Sequence, residues 1–279
     1  MGLMSESPKK TLKTVTVDRV QTLTPDLVRV EFTGADLAEM PELPWTDHYV
    51  KFLFPPEGAP YGLPITDVDA VKEEQERAHW PVTRTYTIRS FDADTQRLVI
   101  DFVTHDHGVA GRWVQQASAG EQITFRGPGG AWAPPAETEV LLLAGDESAL
   151  PAIARAMEEV PAGARVVTLI EVADADHQTD MPGPVTWVHR GEELPGQALV
   201  RAIREADLPE TEFDAFVHGV AEMIKDVRRY LFVERGLPKH RASISGYWRI
   251  GMTEDAWQAS KRDFVAEMEA EEESAASRA

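Results

Sequence analysis

The chain of 279 residues contains no cysteine. That excludes disulfides, thiolate zinc sites, cysteine nucleophiles and thiolate-held iron–sulfur clusters. Any redox chemistry must therefore come from a bound cofactor. Positive charge is scarce too: 28 Lys and Arg stand against 47 Asp and Glu, a formal net charge of -19. Nucleic acids and anionic membranes are held by clustered positive charge, so neither is an expected partner, although a local basic pocket in an acidic shell stays open. Residues 1–10 lack the apolar core of a signal peptide, and no apolar run is long enough to span a bilayer. These absences read as a soluble, cytoplasmic protein whose first ten residues are a disordered tail.

What is present suffices for two cores, since 43% of the residues are hydrophobic. Apolar and polar residues alternate over Lys10 to Gln21 and Leu27 to Phe32. Further strands are read at Tyr49 to Phe54, Val82 to Phe91, Arg97 to Val103 and Gln122 to Arg126. A helix is expected from Val109 to Ala117, ended by Gly120. Residues 55–80, rich in Pro, Gly and charge, read as a solvated loop excursion with a short helix at Val68 to Ala78. Six short strands with one helix predict an antiparallel β-barrel over 11–135.

After Pro134-Pro135 the period changes. Strands at Glu139 to Ala144, Arg165 to Val172, Pro184 to His189, Phe213 to His218 and Ala242 to Trp248 alternate with helices at Ala149 to Val160, Gly196 to Ala206 and Met223 to Arg235. This predicts an α/β domain with a parallel sheet over 136–252. Thr253-Glu254-Asp255 supplies an N-cap and an acidic first turn for a last helix over 253–279, and Glu271 to Glu273 read as its frayed, solvated face.

The stretch from Val82 to Trp132 concentrates the chemistry. It holds Arg84-Thr85-Tyr86-Thr87, His105-Asp106-His107-Gly108-Val109-Ala110-Gly111-Arg112-Trp113 and Gly127-Pro128-Gly129-Gly130. Arg84 and Tyr86, two apart on a strand, face the same side. A guanidinium supplies two parallel donors to a phosphate, and amides at a helix N-terminus after Gly108 suit the same charge. Taken alone, Tyr and Thr in a strand are ordinary strand residues, and a Gly-x-Ala-Gly is an ordinary turn. His105 and His107 lack a third histidine or carboxylate at ligand spacing, which disfavours metal binding. Gly145-Asp146-Glu147-Ser148 follows the first strand of the α/β half, where such sheets bind ligands, but it lacks the G-x-G-x-x-G fingerprint, and helix capping is the plainer role for Glu147.

In combination and in order, these motifs resemble the siderophore-interacting protein family of the ferredoxin-reductase-like superfamily. The match runs through Val82 to Thr87, His48-Tyr49-Val50-Lys51, the HGVAGRW segment, GPGG, Gly145 to Ile153 and Ser245-Gly246-Tyr247-Trp248-Arg249-Ile250-Gly251. The resemblance implies a barrel FAD domain followed by an NAD(P)H-binding-like α/β domain. It places Arg84 on the flavin pyrophosphate, Tyr86 against the isoalloxazine and Thr87 near the flavin N5, the last two as the catalytic contacts. It extends cofactor contact to Val103, His105, His107, Gly108, Ala110, Gly111, Trp113, Asp146, Glu147, Ser148 and Trp248. Lys51, Arg126 and Arg249 are its expected substrate contacts, attracting an anionic ferric chelate, although snorkelling to solvent or pairing with a carboxylate is the plain alternative for each. His218-Gly219-Val220-Ala221 stands where the family commonly has Ala-Gly-Glu-Ala, which leaves the choice between NADH and NADPH open.

The implied activity is an NAD(P)H-dependent, FAD-containing reductase of ferric siderophores that releases Fe(II) in the cytoplasm. Hard oxygen ligands hold Fe(III) better than Fe(II), so reduction frees the metal without any protein ligand to iron. The alternatives are a general flavin reductase, an electron-transfer flavoprotein using ferredoxin, and a non-catalytic siderophore-binding protein. The acidic surface weighs against an acidic ferredoxin partner.

Overall fold

Alternating burial along the first strands closes a barrel. In the computed structural model, which describes residues 12–104 and 108–276, β1 (Leu12–Thr24), β2 (Leu27–Thr33), β3 (Tyr49–Phe54), β4 (Val82–Asp92), β5 (Arg97–Val103) and β6 (Gln122–Gly129) join in the order β1-β2-β5-β4-β3-β6. Every pairing in it is antiparallel. Val15 and Val17, then Val28, Val30 and Phe32, then Leu98, Ile100 and Phe102 point inward at every second position. Phe32, Phe52, Phe102 and Phe125 fill the middle, each almost wholly buried.

Residues 55–80 are more firmly anchored than a solvated excursion. Ile65 and Val68 are buried against Leu53 on β3. The helix α1 (Val68–Glu74) is shorter than its pattern predicts. Its carbonyl run is diverted at Gln75, whose backbone turns extended and accepts Trp80 Nε1 at 3.1 Å, so Arg77–His79 forms a separate 3-10 turn. The helix α2 (Val109–Gln116) plugs one end of the barrel with Ala110 and Val114.

The second half is a five-stranded parallel sheet of β7 (Val140–Gly145), β8 (Arg165–Val172), β9 (Thr186–His189), β10 (Asp214–Val220) and β11 (Ala242–Trp248), in the order β11-β10-β7-β8-β9. Leu141, Leu142, Leu143 and Ala144 are all fully buried, as befits a strand covered on both faces. The helices are α3 (Leu150–Glu158), α4 (Gln197–Glu205), α5 (Ala221–Arg228) and α6 (Glu254–Ala276), with a π-helical turn at Arg229–Glu234 extending α5. Glu171, fully buried on β8, accepts the amides of Gly196 (2.8 Å) and Leu199 (3.0 Å), and so supplies the cap that Gly196 itself cannot give α4.

At Glu272 the acidic end of α6 departs from the expected solvated face. Glu272 is only 7% exposed; it takes Arg228 Nε at 2.6 Å and Nη2 at 3.0 Å, and Lys239 Nζ at 2.8 Å. Glu271 pairs with Lys225 at 2.8 Å. The helix folds back along α5, and its carboxylates meet the basic last turn of that helix. Among the described residues no helix is long and apolar enough to cross a membrane.

Contacts among the described residues join barrel to sheet at several points. Arg89 on β4 forks onto Glu158 of α3 at 2.7 and 3.2 Å. His177 Nε2 reaches Asp26 in the β1–β2 turn at 3.1 Å, and the Trp132 ring packs on Phe216 of β10 at 4.6 Å.

Candidate functional site

The junction between β4, the ends of β7 and β10, and α6 gathers most of the residues singled out from sequence. On β4, Tyr86 is half-buried, its ring 4.3 Å from that of Phe102 and 6.2 Å from that of Phe52. Burial pushes its hydroxyl pKa up, with Glu254 adding to the effect. Thr87 is buried opposite Tyr49, with the Tyr247 hydroxyl arriving beside it from β11. Arg84 Nη1 donates to the Thr83 carbonyl at 2.7 Å and lies 3.1 Å from Asp255; its Nε is 4.0 Å from Glu254. Both carboxylates belong to the first turn of α6.

On the sheet side the strand order reverses direction between β7 and β10, the place where an open α/β sheet leaves a crevice. Asp146 sits in that gap, 1% exposed. It accepts Ser148 N at 2.9 Å, Ser148 Oγ at 2.5 Å, Val220 N at 2.8 Å and Trp248 Nε1 at 2.8 Å. Burial nonetheless raises its pKa, because no cation compensates the charge. Glycine is required at Gly219, whose φ is +150° and where a Cβ would stand 2.7 Å from Asp146 Oδ2. Glu147 lies 3.5 Å from Arg190, and burial followed by the neighbouring Asp146 raises its pKa.

His218, in the position of the expected Ala-Gly-Glu-Ala departure, is 4% exposed and stacked 3.8 Å from Phe216, with Tyr247 edge-on at 4.9 Å. Its Nε2 meets Ser243 Oγ at 2.9 Å and its Nδ1 has no partner. Burial pushes its pKa down to about 3, so the ring is neutral.

Two of the three basic residues stand together. Lys51 and Arg126 are direct cross-strand partners on β3 and β6, and Lys51 Nζ donates to Thr85 Oγ1 at 3.1 Å. Arg249 turns instead to Glu222 (3.5 Å) and lies over the rings of Phe264 (5.0 Å) and Trp257 (5.9 Å). A cation that sequence reasoning missed, Lys261 on α6, bonds Ser245 Oγ at 3.0 Å. Its pKa is lowered, first by burial and then by Lys51. The missed signal was helical spacing: Glu254, Trp257, Lys261, Phe264 and Met268 recur every three or four residues along one side of α6.

The other sequence candidates are placed as follows. Trp113 packs among Phe54, Phe102 and Phe32 in the barrel. Ala110 and Gly111 are buried in α2, whose N-cap Gly108 provides no side-chain cap. Val103 packs against the sheet-side core. Gly129 and Gly130 are demanded by packing: a Cβ would stand 2.6 Å from Tyr49 Cζ at the first and 2.6 Å from His48 Nδ1 at the second. His105 and His107 lie outside the described residues.

An antiparallel barrel bearing Arg-x-Tyr-Thr, set against a parallel sheet with its crevice at the junction, defines a flavoprotein of the ferredoxin-reductase-like fold. Residues 16–132 match the model of the siderophore-interacting FAD-binding domain and residues 138–251 that of the siderophore-interacting protein. The chain is 32% identical over 240 residues to the ferric vibriobactin reductase ViuB of Vibrio cholerae, covering 83% of this chain and 87% of that one. It is 28% identical over 242 residues to the NADPH-dependent ferric-chelate reductase of Escherichia coli, covering 84% and 91%. The crystal structure of a siderophore utilization protein from T. fusca superposes with a TM-score of 0.76 at 35% identity, covering 88% of this chain and 95% of that one. The chain belongs to the siderophore-interacting protein family, and its barrel half is that family's FAD-binding domain.

Proposed function

We propose that the protein is a flavin-dependent oxidoreductase that uses NAD(P)H to reduce ferric siderophores in the cytoplasm, with the division between its two domains at 135/136. The observation that carries this reading is the junction itself. The Arg84-Tyr86-Thr87 strand, the β7–β10 crevice and the Lys51–Arg126 pair all belong to one contact region between barrel, sheet and α6. FAD fits the donors present: a guanidinium whose Nη2 donates no hydrogen bond to any described residue, a helix N-terminus whose N-cap, Gly108, has no side chain, and a half-buried tyrosine ring backed by Phe102. Bound there, FAD would supply two-electron acceptance from NAD(P)H and one-electron delivery to iron.

The chain's own residues bind and orient. Arg84 would hold pyrophosphate oxygens, Tyr86 would contact the isoalloxazine, and Thr87 would offer its hydroxyl to the flavin. Asp146 holds Trp248 and the 219–220 turn in place at the sheet crevice, where a nicotinamide would enter. Lys51 and Arg126, with Lys261 across from them, draw in an anionic ferric chelate, whose iron arrives in its own ligands. The names of the Vibrio and Escherichia relatives, both ferric-chelate reductases, support the reading.

Purified protein should be yellow, with absorbance near roughly 450 nm. Anaerobic mixing with NADH or NADPH and a ferric siderophore, with Fe(II) trapped as it forms, is the deciding experiment. Fe(II) release is the expected result. Flavin bleaching without Fe(II) release would make it a general flavin reductase, and a protein that FAD cannot colour would overturn the flavoenzyme reading.

A further inference from the structure

The helix α6 lies beyond the stretches matched by the two family models, the second of which ends at residue 251. It is nonetheless fastened from Glu254 to Glu272. Trp257, 1% exposed, fits where β11 has Gly246, at which a Cβ would stand 3.0 Å from the indole and 3.1 Å from Ala221. Glu271 and Glu272 hold the far end to α5 and Lys239. Fixed at these points, α6 brings its first turn across to the barrel. Glu254 Oε1 accepts the Thr85 amide at 3.1 Å, and Asp255 and Glu254 flank the Arg84 guanidinium.

We infer that Glu254 and Asp255 are positioning residues for Arg84, and that α6 thereby sets how tightly the protein holds the pyrophosphate of its flavin. The inference rests on the reading of Arg84 given above. Nη1 is engaged by Thr83 and Asp255 and Nε faces Glu254, so the fork is held in one orientation with Nη2 left for an incoming anion. An arginine free on its long stem must lose rotamer freedom to make the same contact, and a pre-oriented one does not. Repulsion between the two carboxylates and the pyrophosphate opposes this effect but is the smaller of the two. The Asp255 side chain is 57% exposed, so solvent screens it, and Glu254 is directed onto the Thr85 amide.

The test compares FAD with riboflavin, which lacks phosphate, by titration of the flavin-stripped protein followed by flavin fluorescence. In the Glu254→Gln/Asp255→Asn variant, FAD should bind about tenfold more weakly, equal to ~1.4 kcal/mol, while riboflavin affinity stays within about twofold. Equal weakening of both flavins would mean that α6 acts on the fold as a whole, and unchanged or tighter FAD binding would mean that it does not orient Arg84; each of these overturns the inference. Arg84→Ala, measured alongside, separates the two levels: if it leaves FAD affinity intact, the pyrophosphate reading of Arg84 has failed, whatever α6 does. Circular dichroism of each variant identifies any loss that comes from misfolding, in which case Glu254→Gln alone carries the same comparison.

Discussion

Trp248 Nε1 donates to Asp146 Oδ2 at 2.8 Å across 102 positions of sequence, and so ties the end of β11 to the turn after β7. The same carboxylate takes three further donors from Ser148 and Val220. Asp146→Asn would place an amide where four donors converge, leaving buried donors facing N–H groups. It should cost about 2–4 kcal/mol, read as a fall in thermal midpoint, and should also slow nicotinamide-dependent flavin reduction because the crevice turn loosens.

Arg84→Ala should weaken FAD binding by about tenfold to a hundredfold, since charge-assisted hydrogen bonds of this kind contribute about 1.5–3 kcal/mol. Lys51→Ala should keep FAD and raise KM for anionic ferric chelates about tenfold at low salt, less at high salt. Steady-state kinetics at two ionic strengths checks both; equal FAD loss in the two variants would remove Lys51 from the substrate side.

His177 bridges two carboxylates, Asp174 at 2.7 Å and Asp26 at 3.1 Å, the second belonging to the barrel. Its pKa is raised, chiefly by the hydrogen bond to Asp174; burial comes next and opposes it, and the charges of Asp174, Asp26 and Glu147 each add a smaller upward push. A raised histidine pKa gives stability that is complete below the unfolded value and is lost as pH climbs through the folded one. Thermal midpoints of the native protein should therefore fall more than those of His177→Gln as pH rises from about 6 to 9.

Gly130→Ala should destabilise by about 1–3 kcal/mol, because the added carbon would stand 2.6 Å from His48 Nδ1 and 3.0 Å from His48 Cα. Gly62→Ala, where a Cβ meets nothing within 4 Å, is the matched control and should stay within about 0.5 kcal/mol. Differential scanning calorimetry distinguishes them.

Much of the fold was legible because its signals are local. Period-two alternation over Leu27–Thr33 and Arg97–Val103, and the apolar run at Val140–Gly145, each name a strand and the faces it buries. The Arg84-Thr85-Tyr86-Thr87 strand and the turn after β7 were visible as motifs for the same reason. The ends of elements were less so: α1 stops at Glu74 because of a tryptophan indole, and the last turn of α5 is π-helical, neither of which is written in a run of neighbouring residues.

By itself the sequence determined the two-part architecture, the absence of any cysteine chemistry and the motifs that mark the flavin strand. Only the tertiary structure decided who meets that strand. It set α6 against Arg84, brought Lys261 near Lys51, turned Arg249 away to Glu222, and showed that Gly129 and Gly130 make room for Tyr49 and His48. It also moved Glu272 from an expected solvated face into a buried ion pair. Charge partners separated by well over a hundred residues are set by how helices and sheets dock, and docking depends on shape and burial summed over the whole chain, which no local pattern records.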